Sequence, residues 1–320
     1  MAVAFPKPTF DYSYSVQNEI KALRHWRDTK PGRAIPAKSA NRLLVVTWNL
    51  ANFGVQQRRD DDYRLIAEML SWFDIAALQE VNENLVGLRG LQKFLPAKFD
   101  VLFSDAAGNN ERMLYLYDRT KIKLLELVGE IAVPPSDLKD VKLPGIAQPF
   151  TGFDRNPYLA AFKAGSFTFL LANVHLYFGD DSEAASIERR CLETYAVARW
   201  ADLNVKSKHA YATDIIALGD FNLPKVDPAD PVYKALTKRG LQLPPHSTEI
   251  GSTIASDSHY DQVAFFPSQT KEEFTGQRGV FDFDGAVFKT LWDTRTPAQF
   301  RAYVRYYLSD HRPLWAEFKI

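Results

Sequence analysis

Polar side chains that could bind a metal or transfer a proton recur where apolar runs of this sequence end. Asn49 follows the first run, Glu80 follows the second, and Asp220 follows a later one. Two histidines occupy similar positions, His175 inside an apolar run and His311 just before the last run. Burying such groups is unfavourable unless each is paired or ligates a metal, and titratable groups with shifted pKa values concentrate at functional sites. The recurrence therefore predicts one shared polar site at the rim of a sheet.

The residue types limit the chemistry of that site. Carboxylate and carboxamide oxygens, here from Glu80, Asp310 and Asn49, suit Mg²⁺ or Mn²⁺ and, less specifically, Ca²⁺. Zinc is disfavoured because neither cysteines nor clustered histidines occur at ligand spacing. His175 and His311 can exchange protons near neutral pH. A divalent ion beside paired histidines and carboxylates is suited to hydrolysing a phosphate ester.

Other catalytic classes lack their motifs. The sequence has no Gly-x-x-x-x-Gly-Lys-Ser/Thr loop, which disfavours a nucleotide-cradling ATPase. It has no Gly-x-Ser-x-Gly elbow, which disfavours a serine hydrolase.

Alternating strands and helices are predicted to position these residues. Short apolar runs predict buried strands, and apolar residues at helical spacing predict helices. Strands 113–117 and 122–128 are expected to pair through a turn at 118–121. Residues 133–149, with four prolines, are expected to form a long loop, and the charged run 58–62 is interpreted as solvated. The predicted strands are 43–48, 75–78, 113–117, 122–128, 167–177, 214–221, 260–266 and 315–320, and the predicted helices are 60–73 and 180–204.

The first 40 residues differ in composition from the rest. Residues 1–40 carry seven Lys or Arg against three acids and include a predicted helix at 15–30. A helix packed on the domain surface is favoured over a nucleic-acid-binding arm. We expect residues 1–40 to be a partly helical N-terminal extension and residues 41–320 to form the catalytic domain.

The overall composition excludes several classes of protein. Thirty-nine basic and thirty-nine acidic residues give a net charge of zero, which excludes a polybasic nucleic-acid binder. Cys191 stands alone, so no intrachain disulfide can form. No signal peptide is recognised, and the longest apolar stretch is too short to span a membrane. These features predict a soluble, cytoplasmic protein without a membrane span, and we expect a monomer.

The ordered set of motifs resembles the endonuclease/exonuclease/phosphatase superfamily. Each motif alone is weak, but together they span residues 43–320 in the order of that family. The motifs are Thr47-Trp-Asn49, Gln79-Glu80, Asn173-Val-His175-Leu, Gly219-Asp-Phe-Asn222 and Ser309-Asp-His-Arg-Pro313. The resemblance implies an α/β (α+β) fold, a four-layer αββα sandwich in which two mostly antiparallel β-sheets pack face to face with helices outside.

Within the superfamily, the sequence is most similar to the deoxyribonuclease I-like branch. The similarity rests on residues 48–54, 111–117, 155–157 and 260–263. The implied roles are a Glu111–His175 pair and an Asp261–His311 pair, a metal held by Glu80, Asp310 and Asn49, water and phosphate oriented by Asp220 and Asn222, and phosphate oxygens contacted by Arg155 and Asn173.

Three departures leave the substrate open. Ala51 and Asn82 stand where that branch places arginines that enter the DNA minor groove, and Asn109 stands where it has a stacking tyrosine. The favoured hypothesis is an Mg²⁺-dependent endonuclease that cleaves nucleic acid by in-line attack of water. The alternatives are a phosphatase, or a lipid- or nucleotide-directed phosphodiesterase on the same scaffold. A non-enzymatic binding module is disfavoured because every expected catalytic position is filled.

Overall fold

The computed structural model describes residues 4–245, 250–256 and 258–320. Within them, eleven strands and eight α-helices alternate along the chain, with three short 3₁₀ turns. The helices are α1 Val16–Thr29, α2 Asp60–Ser71, α3 Val86–Gln92, α4 Ala184–Lys206, α5 Pro231–Thr237, α6 Pro267–Thr270, α7 Lys289–Thr294 and α8 Pro297–Tyr307. The strands are β1 Arg42–Phe53, β2 Ile75–Asn82, β3 Phe99–Phe103, β4 Glu111–Asp118, β5 Ile122–Glu130, β6 Tyr158–Ala164, β7 Phe167–His175, β8 Ile215–Asp220, β9 Asp261–Phe265, β10 Phe274–Val280 and β11 Leu314–Lys319.

The strands form two sheets that pack against each other. The first sheet has the order β10-β11-β1-β2-β4-β3, and the second has the order β5-β6-β7-β8-β9. The pairs β1–β2 and β7–β8 are parallel, and the remaining neighbours are antiparallel. Helices α1, α2, α7 and α8 cover the outer face of the first sheet, and α4 and α5 cover that of the second. The predicted four-layer sandwich is confirmed.

The core between the sheets is built from large apolar side chains. Phe162 and Phe169 of the second sheet and Val45 of the first are fully buried there. Tyr115 crosses the layer, and its hydroxyl lies 2.9 Å from the Leu171 carbonyl oxygen of the opposite sheet. Close packing of such side chains fixes the spacing between the sheets, and hence the distance between groups at their rims.

The expected pairing of strands 113–117 and 122–128 is wrong. Strand β4 is flanked on both sides, by β2 and β3, so neither of its edges is free for β5. The chain instead passes to the far edge of the second sheet, and Lys121 of the crossover lies 2.7 Å from Asp74. The strands β3, β6 and β10 were not predicted, and helix α4 begins at Ala184 rather than at residue 180.

Residues before β1 pack on the helices of the first sheet. The predicted helix at 15–30 is present as α1, and its Leu23 is fully buried. Arg24 makes a two-pronged ion pair with Glu68, at 2.7 and 2.8 Å. Whether this extension is a separate domain stays a prediction. Among the described helices, none combines the length and apolar character that crossing a membrane requires.

Strand direction explains why the polar residues meet. The carboxyl ends of β1 and β2, and those of β7 and β8, lie at one edge of their sheets, and the antiparallel strands β4, β9 and β11 begin at that edge. In the second sheet, His175 stands opposite Asp220, and Asp220 stands opposite Asp261. Polar residues far apart in sequence therefore become neighbours at one rim.

Candidate active site

A pocket of about 460 Å³ opens at this rim. Eight of the predicted site residues line it, and the other three, Asn49, Asn173 and Asp261, are fully buried behind its surface. The eight are Glu80, Glu111, Arg155, His175, Asp220, Asn222, Asp310 and His311. A larger and more apolar cavity of about 560 Å³, between α4, α5 and residues 143–146, shares no lining residue with it. The pocket with the titratable groups is therefore the candidate active site.

His311 is held by a hydrogen bond to Asp261. Its Nδ1 lies 2.7 Å from Asp261 Oδ2, and the backbone N–H of Asp261 donates to Ser252 Oγ at 3.0 Å. Burial raises the pKa of Asp261, which the charge of His311 only partly offsets. Burial alone would lower the pKa of His311, but the Asp261 carboxylate outweighs it and raises that pKa well above its ordinary value. Nε2 of His311 lies 3.9 Å from Oδ2 of Asp220, and both residues line the pocket.

His175 stands beside Glu111 in a looser pair. Its Nδ1 lies 3.1 Å from Glu111 Oε2, and Arg155 Nη1 lies 3.8 Å from the same oxygen. Burial opposes ionisation of Glu111, but pairing with His175 and the charge of Arg155 outweigh it and lower its pKa. Burial and Arg155 would lower the pKa of His175, yet Glu111 and Asp220 raise it. Glu111 therefore lies close to both the His175 ring and the Arg155 guanidinium.

Each pair takes one member from each sheet. Glu111 begins β4 of the first sheet and His175 ends β7 of the second, whereas Asp261 begins β9 of the second and His311 precedes β11 of the first. The distances of 3.1 Å and 2.7 Å within the pairs therefore depend on the spacing of the two sheets.

Asp220 lies between the two histidines. Its Oδ2 is 3.9 Å from Nε2 of His175 and 3.9 Å from Nε2 of His311. Burial would raise the pKa of Asp220, but the two histidines and the N–H of Asn222 lower it. Asp220, Asp261 and His311 offer atoms within 4.8 Å of one another. Because Asp261 is already bonded to the His311 ring, we interpret this group as part of a proton-transfer arrangement and not as a metal site.

Glu80 and Asp310, the two carboxylates predicted to hold a metal, both line the pocket. Glu80 sits at a bulge between β2 and β4 with a φ of 58°, a strained backbone of the kind found at functional sites. Asn49 Nδ2 and the Asn52 N–H donate to its two oxygens at 2.8 and 2.7 Å. Burial raises the pKa of Glu80, and the charges of Glu111 and Asp310 raise it further. A bound cation would relieve this repulsion.

Asn49 is placed to hold these acids. Its Nδ2 donates to Glu80 and, at 3.1 Å, to Asp220 Oδ2, and its Oδ1 accepts the Ala51 N–H at 2.9 Å. Its role as a metal ligand stays a prediction, and its Oδ1, which accepts one hydrogen bond, keeps a second lone pair for a ligand.

Asn173 and Arg155 are both tied to the protein. Asn173 Nδ2 lies 3.1 Å from the Leu78 carbonyl, and its Oδ1 accepts from Gln79 at 2.6 Å. The fully buried Asn173 therefore supports the floor of the pocket, a position unlike the phosphate contact that the resemblance implied. Arg155 lines the pocket, but its Nε donates to the His175 carbonyl at 2.9 Å. It positions His175 as well as offering positive charge.

Asn222 follows β8 with a φ of 51°. Its N–H donates to Asp220 Oδ1 at 2.9 Å, and its Nδ2 donates to the Leu176 carbonyl at 2.7 Å. Asn222 therefore links Asp220 to the backbone that follows His175, while its side chain lines the pocket.

Solved structures share this architecture, although no protein-family model and no curated protein matches the chain. An endonuclease/exonuclease/phosphatase family protein from Bacteroides thetaiotaomicron is 20% identical, with a TM-score of 0.57 over 87% of this chain and 95% of that one. A mannosyl-6-phosphatase from the same species is 21% identical, with a TM-score of 0.54 over 86% and 99%. D. rerio TDP2, complexed with a single-strand DNA product, is 13% identical, with a TM-score of 0.56 over 87% and 99%. The chain has the endonuclease/exonuclease/phosphatase fold.

Two residues whose roles the sequence did not predict, Trp48 and Arg58, hold the backbone next to the candidate active site. The indole N–H of the fully buried Trp48 donates to the His311 carbonyl at 2.7 Å. Arg58, interpreted from its charged neighbours as solvated, is buried instead, and its guanidinium contacts four backbone carbonyls. These carbonyls belong to Leu50, Ala51, Tyr307 and Leu308. Burial lowers the pKa of Arg58 to about 10. Arg58 joins the end of β1 to the end of α8, which leads to Asp310 and His311.

Gly219 is the first residue of the Gly-Asp-Phe-Asn motif, and its backbone conformation and packing require glycine. Its φ is +136°, and a Cβ added there would lie 2.1 Å from the Val174 carbonyl oxygen. Such an approach is open only to glycine. The close contact brings β8 against β7 directly beside His175 and Asp220.

Proposed function

We propose that the chain is a divalent-metal-dependent phosphoester hydrolase that acts by in-line attack of water. The observation that carries this proposal is the placement of two histidine–acid pairs around one pocket. Asp220 Oδ2 is 3.9 Å from Nε2 of both histidines. Two imidazoles facing one space can supply a base for water and an acid for the leaving oxygen.

The proton transfers occur at the Nε2 atoms. Nε2 of one histidine accepts a proton from the attacking water, and Nε2 of the other donates to the leaving oxygen. Glu111 and Asp261 orient the rings through Nδ1 and stabilise the imidazolium that forms. Asp220 lies between them and stabilises positive charge on either ring. Arg155 and Asn222 face the pocket, where they can contact phosphate oxygens.

The donor set fits a hard divalent cation. The carboxylates of Glu80, Glu111, Asp220 and Asp310 line the pocket, whereas Arg155 is the one Arg or Lys among its described lining residues. Oxygen ligands and this charge imbalance suit Mg²⁺ or Mn²⁺, with Glu80 and Asp310 as the ligands. When bound, the ion neutralises charge on the phosphoryl group and lowers the pKa of water.

The solved relatives support the reaction class and leave the substrate open. They include a mannosyl-6-phosphatase, TDP2 complexed with a single-strand DNA product, and ANGEL2, a 2′,3′-cyclic phosphatase. All are similar in fold to this chain, so phosphoester hydrolysis is the property we transfer. Nucleic-acid cleavage is our first candidate within that class.

A panel of substrates tests the proposal. Plasmid DNA, RNA, bis(p-nitrophenyl) phosphate and p-nitrophenyl phosphate are incubated with the full chain and Mg²⁺. We expect hydrolysis of a phosphodiester that stops on chelation and returns when Mg²⁺ or Mn²⁺ is added. Glu80→Gln and Asp310→Asn should each raise the metal concentration needed for half-maximal rate. Turnover that survives chelation contradicts the metal proposal, and no turnover on any substrate contradicts the enzyme proposal.

A small phosphoester is the second candidate. It is favoured by the pocket wall, where the described residues offer one Arg or Lys, itself engaged with backbone carbonyls. A polymer backbone needs several cations for its phosphates. Faster turnover of small esters than of DNA and RNA would favour this candidate. Cytoplasmic location and the monomeric state stay predictions.

A further inference from the structure

The N-terminal extension reaches the active site. Phe5 lines the same pocket as His175 and His311, although it lies far from both in sequence. The sequence predicts a helix packed on the domain surface within this segment, and it leaves the role of the segment open. The structure places one residue of this segment in the pocket wall.

An aromatic network holds the extension along α8. Phe10 stacks on Tyr303 at a centroid distance of 6.0 Å, and Tyr12 meets the same ring edge-on at 5.4 Å. Tyr14 donates a hydrogen bond of 2.7 Å to the buried Asp62. Arg305 lies 4.7 Å from the Phe5 ring. The segment is therefore anchored at several points before it arrives at the pocket.

Two further aromatic side chains line the pocket. Phe178 and Tyr260 meet edge to face, with centroids 5.9 Å apart, and Tyr260 lies 6.2 Å from the His311 ring. Phe178 is 38% exposed, yet the loop that carries it is fixed. The buried Arg190 donates to the Phe178 and Asn222 carbonyls and lies 4.9 Å from the Phe178 ring.

The exposed ring is thus held at the pocket by buried contacts. Arg190 also bonds to Asp181 at 2.8 Å, and Asp181 in turn accepts a hydrogen bond of 3.2 Å from the Tyr260 hydroxyl. An apolar ring fixed in contact with solvent beside catalytic groups is a feature of ligand sites, which combine apolar walls with a few polar groups. The pocket volume of about 460 Å³ falls in the range of small-ligand sites.

We propose that Phe5, Phe178 and Tyr260 form an aromatic wall that binds a planar ring of the substrate next to the reacting phosphate. Resting on the proposed function, this inference names the substrate class as phosphoesters that carry a nucleobase or a similar flat ring. Aromatic side chains stack on every base and are tolerant of its identity. Arg155 is the one Arg or Lys among the described residues that line the pocket. This agrees with a substrate that is recognised through its flat ring and not through additional phosphate groups. Phe5 is then a specificity-determining residue supplied by the extension.

Two matched esters test the wall in the full chain with Mg²⁺. They are the p-nitrophenyl ester of thymidine 5′-monophosphate and the p-nitrophenyl ester of 1,2-dideoxyribose 5-phosphate, which share a leaving group and a sugar and differ in the base. We expect the wild-type chain to have a higher kcat/KM on the thymidine ester. Phe5→Ala and Phe178→Ala should each reduce that preference at least ~5-fold, as for loss of one stacking contact, mainly through KM. Phe178→Trp should retain it.

Phe103→Ala is the matched control. Phe103 is 42% exposed and lies 5.6 Å from Arg112, so it resembles Phe178 in exposure and in its arginine contact, but it does not line the pocket. Its variant should keep the wild-type preference. Equal loss on both esters in Phe5→Ala and Phe178→Ala, or a wild-type chain without preference, overturns the wall. Faster turnover of both esters in Phe5→Ala would also overturn it, since Phe5 would then obstruct the pocket.

A binding experiment separates this inference from the proposed function. Calorimetry compares adenosine 5′-monophosphate with ribose 5-phosphate, which differ by the base, in the presence of Mg²⁺. Tighter binding of the nucleotide, reduced at least ~5-fold by Phe5→Ala and by Phe178→Ala, supports the wall even if no ester is hydrolysed. Equal affinity for the two compounds contradicts the wall even if the chain proves to be a hydrolase.

Discussion

Each histidine–acid pair places a carboxylate beside Nδ1 of the ring, but the two pairs differ in how firmly the ring is held. His311 has one hydrogen-bonded carboxylate at 2.7 Å, and Asp261 is fully buried. His175 has Glu111 at 3.1 Å, and Glu111 is shared with Arg155. One ring is fixed by a dedicated partner and the other by a cluster of charges. A dedicated partner concentrates the orienting role in one residue, whereas a cluster of charged residues divides it among several.

Removal of either ring should have the largest effect, because both are required by the proposed reaction. His311→Ala and His175→Ala should each lower kcat by at least ~10²-fold, as for loss of a positioned acid or base. Initial rates on the best substrate of the panel measure this, and circular dichroism checks that the fold is retained. Near-full activity of either variant would show that its ring takes no part.

The partner carboxylates should differ in effect, which tests the comparison directly. Asp261→Asn removes the dedicated partner of His311 and should lower kcat about 100-fold. Glu111→Gln should lower it about 10-fold, since Arg155, whose Nε donates to the His175 carbonyl at 2.9 Å, still positions that residue. Both carboxylates orient a histidine through Nδ1, a role in which loss of the partner can cost up to ~10⁴-fold in kcat. Equal losses in kcat, measured under the same conditions, would mean that the two rings are held equally well.

The backbone support of His311 should show a smaller effect. Trp48→Phe removes the indole N–H that bonds to the His311 carbonyl, so we expect the free energy of unfolding to fall by about 1 kcal/mol and kcat to decrease. Trp72→Phe is the control, because its indole N–H bonds to Glu68, away from the pocket. Urea unfolding and initial rates are compared. If both variants lose stability alike and neither loses kcat, Trp48 acts on stability alone.

The smallest effect is expected at the surface histidine. His209 is exposed and does not line the pocket. His209→Ala should change the free energy of unfolding by less than about 0.5 kcal/mol, as for surface substitutions, and should leave kcat near the wild-type value. A marked loss of activity would show that a histidine outside the two pairs contributes to the reaction.

The candidate site could be predicted from the sequence because its residues follow strands. A strand that ends in a carboxylate or a histidine places that side chain at a sheet rim, whatever the order of strands in the sheet. Asn173 shows the limit of this reasoning. It lies two residues before His175 and so points to the same face of β7, but one step deeper, where Gln79 and backbone carbonyls surround it. The sequence therefore predicts the face of the strand on which a side chain lies, but not how deeply that side chain is buried.

Strand pairing was harder to predict than strand position. The runs 113–117 and 122–128 have the length and spacing of a hairpin, and only the presence of β2 and β3 on either side of β4 prevents that pairing. Those partners come from distant parts of the chain. Arg58 was missed for a similar reason, because the carbonyls that it contacts belong to residues as far away as Leu308. The charged neighbours of Arg58 in the sequence favoured an exposed side chain, whereas its tertiary contacts bury it.

The sharing of each pair between the sheets has a consequence for synthesis of the chain. The second sheet is formed by one continuous stretch, residues 122–265, whereas the first is completed by β11, which inserts between β10 and β1. A nascent chain that has reached residue 300 already contains His175, Glu111, Asp220 and Asp261. It still lacks His311 and the strand that closes the first sheet. The proposed activity, which needs both histidines, is therefore acquired only when folding is nearly finished.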